Sequence, residues 1–115
     1  MDIDSVFKIY NTKAGISFQW RKNAELTQVI FRDTGFHLSV NEIEIFLEQV
    51  LVSRTKQPCT CCRLGADCRS MLLQTPFSKV TMAISLNELD EIEDLLRGTL
   101  FQLELNRYLQ EVCKN

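Results

Sequence analysis

Four of the five cysteines in this 115-residue chain fall close together, as Cys59-Thr60-Cys61-Cys62 and then Cys68. Thiolates bind zinc tetrahedrally, and four of them close a structural site. Cys59, Cys61, Cys62 and Cys68 are therefore the candidate metal ligands, with zinc as the cofactor they would hold. Their spacing works against that reading. Zinc knuckles use cysteines two to four apart with a second pair well removed in sequence, whereas here all four would have to come from one hairpin. Adjacent residues of a strand also point to opposite faces, so Cys61 and Cys62 reach one ion only if the backbone bends. The competing reading makes alternate members small apolar residues of a buried strand. A third, redox reading stays open because Arg63 and Arg69 flank the cluster, and a nearby guanidinium lowers a thiol pKa. Cys113 is remote in sequence and is expected to be structural.

Few other residues invite chemistry. His37 is the only histidine, in Phe36-His37-Leu38, where it faces away from two apolar neighbours, onto the open side of a sheet or under a loop. It would act as a base or metal ligand only beside a partner, and the sequence identifies none. There is no glycine-rich phosphate loop, no His-Glu-x-x-His, no nucleophile elbow and no paired carboxylates in a catalytic setting. Trp20 and Phe18 are expected in a core rather than a ligand cage. The chain is read as more a non-enzyme than an enzyme.

Charge and composition narrow the classes further. Thirteen basic and fifteen acidic side chains nearly cancel, and the pI is about 5.4. A nucleic-acid module shows a basic stripe and a high pI, so no nucleic-acid partner is expected. Apolar residues make up 45% of the chain, enough for a real core, and no stretch approaches the roughly 20 apolar residues of a membrane span. Met1-Asp2-Ile3-Asp4 is acidic and has no signal-peptide core. These features predict a cytoplasmic protein of one domain over residues 1–115, with no membrane partner and mostly reduced thiols.

The elements that would position these residues are organised by one recurring start signal. Ser39-Val40-Asn41-Glu42-Ile43 and Ser85-Leu86-Asn87-Glu88-Leu89 each place a Ser three residues ahead of a Glu, at the head of an apolar run. That is a capping box: the hydroxyl accepts from the N–H of the third helical residue and the carboxylate reaches back to the Ser N–H. Strands are predicted at Val6–Tyr10, Gly15–Arg21, Leu26–Arg32 and Phe36–Leu38. In the second of these, Ile16, Phe18 and Trp20 share one face. A hairpin loop is placed at Asp33-Thr34-Gly35, with Gly35 supplying a positive φ. Helix one runs from Val40 to about Arg54 with Val40, Ile43, Phe46, Leu47, Val50 and Leu51 as its apolar stripe. The pattern then starts over: strands at 57–63, 68–75 and 79–84, then the second cap. A shift of 46 residues superposes the two caps. The reading is α+β, a tandem βββα repeat with halves near 15–54 and 57–113, an antiparallel sheet and two main helices packed on one face.

Helix two carries more apolar surface than one small sheet covers. Its first turns bear Leu89, Ile92, Leu95 and Leu96. Gly98 costs about 1 kcal/mol relative to Ala in a helix interior, and Thr99 with Gln102 could cap a fresh helix. A continuous helix to Val112 would be roughly 40 Å long, so it must bend at Gly98 or extend beyond its domain. Phe101, Leu105, Tyr108 and Val112, spaced by four, three and four, are the candidate interface. They point to a two-fold homodimer or to another protein as partner; the alternative is that this segment packs across helix one and the sheet to complete one core.

Cys59-Thr60-Cys61-Cys62, Leu72-Leu73-Gln74-Thr75-Pro76-Phe77 and the Ser85-Leu86-Asn87-Glu88-Leu89 helix start together resemble a family of small bacterial proteins of about this length with no assigned function. The resemblance spans most of the chain and implies no catalytic or binding residue. The combined expectation is a small interaction or regulatory domain, with a thiol- or zinc-binding protein as the alternative.

Overall fold

In the computed structural model, which describes residues 6–21, 23–56, 67–69 and 71–112, both capping boxes form. Ser39 Oγ accepts from Glu42 N–H at 3.2 Å while Glu42 Oε1 accepts from Ser39 N–H at 2.9 Å. Ser85 and Glu88 repeat the exchange at 3.1 and 3.0 Å. The helices they start are α1 (Val40–Arg54) and α2 (Leu86–Val112). Each cap satisfies donors that a helix N-terminus would otherwise leave orphaned, which is why each helix begins where its Ser stands.

Ahead of α1 lies an antiparallel meander of β1 (Val6–Asn11), β2 (Gly15–Trp20), β3 (Asn23–Phe31) and β4 (Thr34–Leu38) in that spatial order. Ahead of α2 lies a separate two-stranded sheet, β5 (Met71–Gln74) paired antiparallel with β6 (Thr81–Ile84). The composition is α+β, and the strands form two sheets rather than the one expected. Both hairpins bury alternate residues on their inward face: Thr27, Val29 and Phe31 opposite Phe36 and Leu38 in one, Met71 and Leu73 opposite Met82 and Ile84 in the other. Segment 57–63, predicted as a strand, lies outside the described residues.

The helices exchange halves. α1 packs on β4 and on β5, α2 packs on β1 and β2, and the helices pack on each other. One core results, with Phe31, Leu38, Phe46, Leu73, Ile84, Leu89 and Ile92 all fully buried. Phe36 meets Phe46 edge to face at 5.3 Å, which ties β4 to α1. The α1 stripe is narrower than its pattern suggests. Ile43, Phe46 and Val50 are buried, but Val40 and Leu51 are exposed because, among the described residues, α1 has neighbours on one side only.

Three local expectations are corrected or resolved. Phe31 pairs with Thr34, so the β3–β4 loop is Arg32-Asp33 and not 33–35. The positive φ belongs to Arg32, at 55°, while Gly35 sits inside β4 opposite Ile30. The first of two loop residues is where primed hairpin turns need a positive φ. Second, Ser17, not Phe18, faces α2: it is fully buried and lies cross-strand from the core residue Val29. Ile16 and Phe18 are thereby on the other face of the sheet, where Phe18 is buried as expected though outside the main core cluster. The reason is distance. Gly15 and Ser17 are small enough for α2 to come close, and a Cβ added at Gly15 would stand 2.1 Å from Ile30 O and 2.9 Å from a Leu95 methyl.

Third, the choice left open at Gly98 falls to the continuous form: α2 is one helix of 27 residues, with no fresh start at Thr99. Gly98 is instead a place of close approach. An added Cβ there would lie 2.2 Å from the ring of Tyr10. Tyr10 Oη donates to Asp94 Oδ1 at 3.0 Å. Thr99 Oγ1 donates back to Leu95 O at 2.6 Å and shares a 2.7 Å hydrogen bond with Ser17 Oγ. These contacts pin the middle of α2 to β1 and β2. The remaining three turns run on past the core, and the molecule measures 58 × 30 × 26 Å with a radius of gyration of 15.7 Å. A compact chain of this length would have about 13 Å.

Candidate interaction surface

The last core residue of α2 is Thr99, and beyond it the helix presents two different faces. Phe101, Leu105, Tyr108 and Val112 are 61%, 38%, 61% and 52% exposed, with Leu109 beside them. They line one side, as their spacing of four, three and four requires. About half a turn round lie Leu103, Asn106, Arg107 and Gln110, which continue the face that is buried earlier in the helix. These four, joined by Leu109 at the border between the two faces, line a groove of about 690 Å³ whose other wall is Phe7, Gln19, Trp20, Arg21 and Val40. Phe7 and Val40 are exposed there. The sheet edge and the start of α1 thus face the helix without closing on it.

The exposed apolar stripe was legible because a period near 3.6 continues after the core ends. The groove residues were missed. Phe7, Trp20 and Val40 come from three elements, and no local spacing links them to Leu103. Only the path of α2 past Gly98 brings them together.

A charged network fixes where this helix starts. Glu88, completing its cap, also takes both Arg69 Nε and Arg69 Nη2 at 3.0 Å and pairs with Arg32 Nη1 at 2.6 Å. Burial pushes the Glu88 carboxyl up, but Arg69, the Ser85 N–H and Arg32 together hold it below the usual carboxylate range. Arg32 also stacks its guanidinium over Phe31 at 5.3 Å, and its buried Nε has no hydrogen-bond partner among the described residues. Asn87 donates to Asp67 at 2.6 Å, so residues 67–69 lie across the first turn of α2. Arg54 at the end of α1 pairs with Asp90 and, at 2.6 Å, with Glu93 of α2, which Arg97 also contacts at 2.9 Å. The Arg54 guanidinium holds the Glu93 carboxyl low against the opposing effect of burial, with Arg97 adding to it. On the far side Asp94 raises the Tyr10 phenol, through the hydrogen bond and its negative charge.

Of the candidate metal ligands, Cys59, Cys61 and Cys62 lie outside the described residues. Cys68 is half-buried and disulfide-bonded, where reduced thiols were expected. A sulfur held in a disulfide is no thiolate and cannot ligate zinc while the bond lasts. Among the described residues no three His, Cys, Asp or Glu side chains gather as a metal site. His37 is exposed on β4 opposite Gln28, on the outer face as expected. No helix of the described residues is long and apolar enough to cross a membrane.

No family model, no curated protein and no solved structure matches this chain.

Proposed function

We propose that this chain is a non-enzymatic interaction module that binds protein, a second copy of itself first, through the outward side of α2 beyond Thr99. One observation carries the reading: five large apolar side chains, Phe101, Leu105, Tyr108, Leu109 and Val112, stand in solvent on a helix that continues well past its own core. A helix apolar on more than one side wants neighbours on more than one side. The two helix–hairpin units, each entered through Ser-x-x-Glu, support a further part of the proposal, that the fold is a duplicated βββα unit. Near-zero net charge and unremarkable pI support protein rather than nucleic acid as the partner. A cytoplasmic setting belongs to the same proposal.

Leu105→Arg or Tyr108→Glu should turn the dimer into a monomer by light scattering at tens of micromolar, with the thermal melt of the fold unchanged. Wild-type protein that is already monomeric at that concentration, with no partner lost on either substitution, removes the reading.

A second reading places thiol or zinc chemistry at Cys59, Cys61, Cys62 and Cys68. The disulfide at Cys68 favours its thiol form over its zinc form. Protein purified without chelator should then hold less than about a tenth of an equivalent of zinc and yield extra alkylated cysteine only after reduction. Stoichiometric zinc with all thiols protected would reverse the preference.

A further inference from the structure

Six arginines lie among the described residues, and four of them, Arg32, Arg54, Arg69 and Arg97, are ion-paired. The other two, Arg21 and Arg107, have no acidic partner among the described residues, and both line the groove between α2 and the β1–β2 edge. They are 86 positions apart in sequence (107 − 21), so tertiary structure alone brings them to one site. The groove they flank is apolar at Phe7, Trp20, Val40 and Leu103. It is shaped and charged for an apolar segment that carries carboxylates.

The chain owns such a segment. On α2, Glu104 and Glu111 flank the stripe of Phe101, Leu105, Tyr108 and Val112, two turns or about 10.5 Å apart. Neither has a basic partner among the described residues. Resting on the reading proposed above, we infer that two copies exchange the last three turns of α2, each laying its stripe in the other's groove with Glu104 and Glu111 against Arg21 and Arg107.

Area decides between this arrangement and simple stripe-to-stripe pairing. The five exposed side chains present on the order of 450 Å², taking a large apolar side chain as 150–250 Å². A stable dimer buries about 800 Å² per partner. Stripe against stripe falls short, and covering the groove supplies the remainder. The exchange also closes under two-fold symmetry. The end of α2 points away from its own core, so the helix entering the groove must run antiparallel to it, with the partner's core at the far end. Each groove is then filled by the helix whose own groove is filled in return, an isologous contact that leaves no free copy of either surface.

Charge reversal tests it. Arg21→Glu with Arg107→Glu makes a groove variant, and Glu104→Lys with Glu111→Lys makes a helix variant. Each alone should weaken dimerisation by at least about a hundredfold, because like charges then meet across the interface. An equimolar mixture should restore a dimer by sedimentation, since in the mixed pair both grooves meet opposite charge. A groove variant that dimerises as tightly as wild type, or a mixture that stays monomeric, overturns the exchange. If Tyr108→Glu still gives monomers in that case, the interaction reading stands and only the exchange fails. Wild type and all variants monomeric alike would sink both.

Discussion

Glu88→Ala is expected to lower unfolding stability by about 2–4 kcal/mol, more than any other single charge removal among the described residues. Breaking one side of a largely buried ion pair costs about 3–5 kcal/mol. The figure is discounted here because Arg69 is more than half exposed and solvent screens its share. Loss of the capping-box acceptor adds about 1 kcal/mol. Arg32 makes the site sensitive. It holds a left-handed backbone at the β3–β4 turn, donates its N–H to Ala14 O at 3.0 Å, and keeps its buried Nε unpartnered among the described residues; Glu88 is the anion that compensates. Glu88→Gln should cost less, about 1–2 kcal/mol, since its amide oxygen still accepts from Ser85 N–H.

The pH dependence of the same pair of variants separates charge from cap. Glu88 has a depressed pKa in the fold, so the stability it contributes is fully present above the ordinary carboxylate value of about 4.3. It is lost as pH falls through the lower, folded value. Glu93, held low by Arg54 and Arg97 against burial, behaves alike. Urea midpoints of wild type and Glu88→Gln should therefore differ at pH 7, and the difference should shrink as the pH falls below the ordinary carboxylate range. A gap that persists at low pH would show that the charge is not what stabilises this joint.

Gly98→Ala should destabilise the wild-type fold by about 1–2 kcal/mol and stabilise a Tyr10→Ala background by up to about 1 kcal/mol. In a helix interior, Ala is the better residue by roughly 1 kcal/mol. Here its Cβ would enter the Tyr10 ring at 2.2–2.5 Å. The ring has to leave, taking with it the hydrogen bond to Asp94 and the contact that holds β1 on α2. Overpacking of this kind costs about 1–3 kcal/mol. Once Tyr10 is truncated the clash is gone and the propensity gain remains. Four thermal or urea melts complete the cycle. Independent effects of the two substitutions would mean that α2 is not held at this point.

Much of this architecture was legible because it is local. The Ser39–Glu42 and Ser85–Glu88 boxes each need only four consecutive residues, and both helices begin where those boxes put them. The period of Leu89, Ile92, Leu95 and Leu96 marked a buried face, and the wider spacing through Phe101 and Tyr108 marked an uncovered one. Gly98 was the place where local rules left two outcomes open. Its low helix propensity reads as a break when the neighbours are unknown, and as a packing requirement once Tyr10 is found against it. Ile16 and Phe18 alternate with Ser17 as expected, but alternation identifies two faces of a strand and carries no information about which one a helix will cover.

The amino-acid order alone therefore determined the α+β composition, the two helix starts and the apolar stripe at the end of α2, all set by hydrogen bonds and periodicities a few residues long. Tertiary structure alone decided that each helix packs on the other half's strands, that Glu88 joins Arg32 to Arg69, and that Phe7, Trp20, Arg21 and Arg107 meet in one groove. Those pairings join residues up to 100 positions apart. They depend on how closely surfaces can approach, at Gly15, Ser17 and Gly98 above all, and closeness of approach is a property of two faces together that neither stretch of sequence contains.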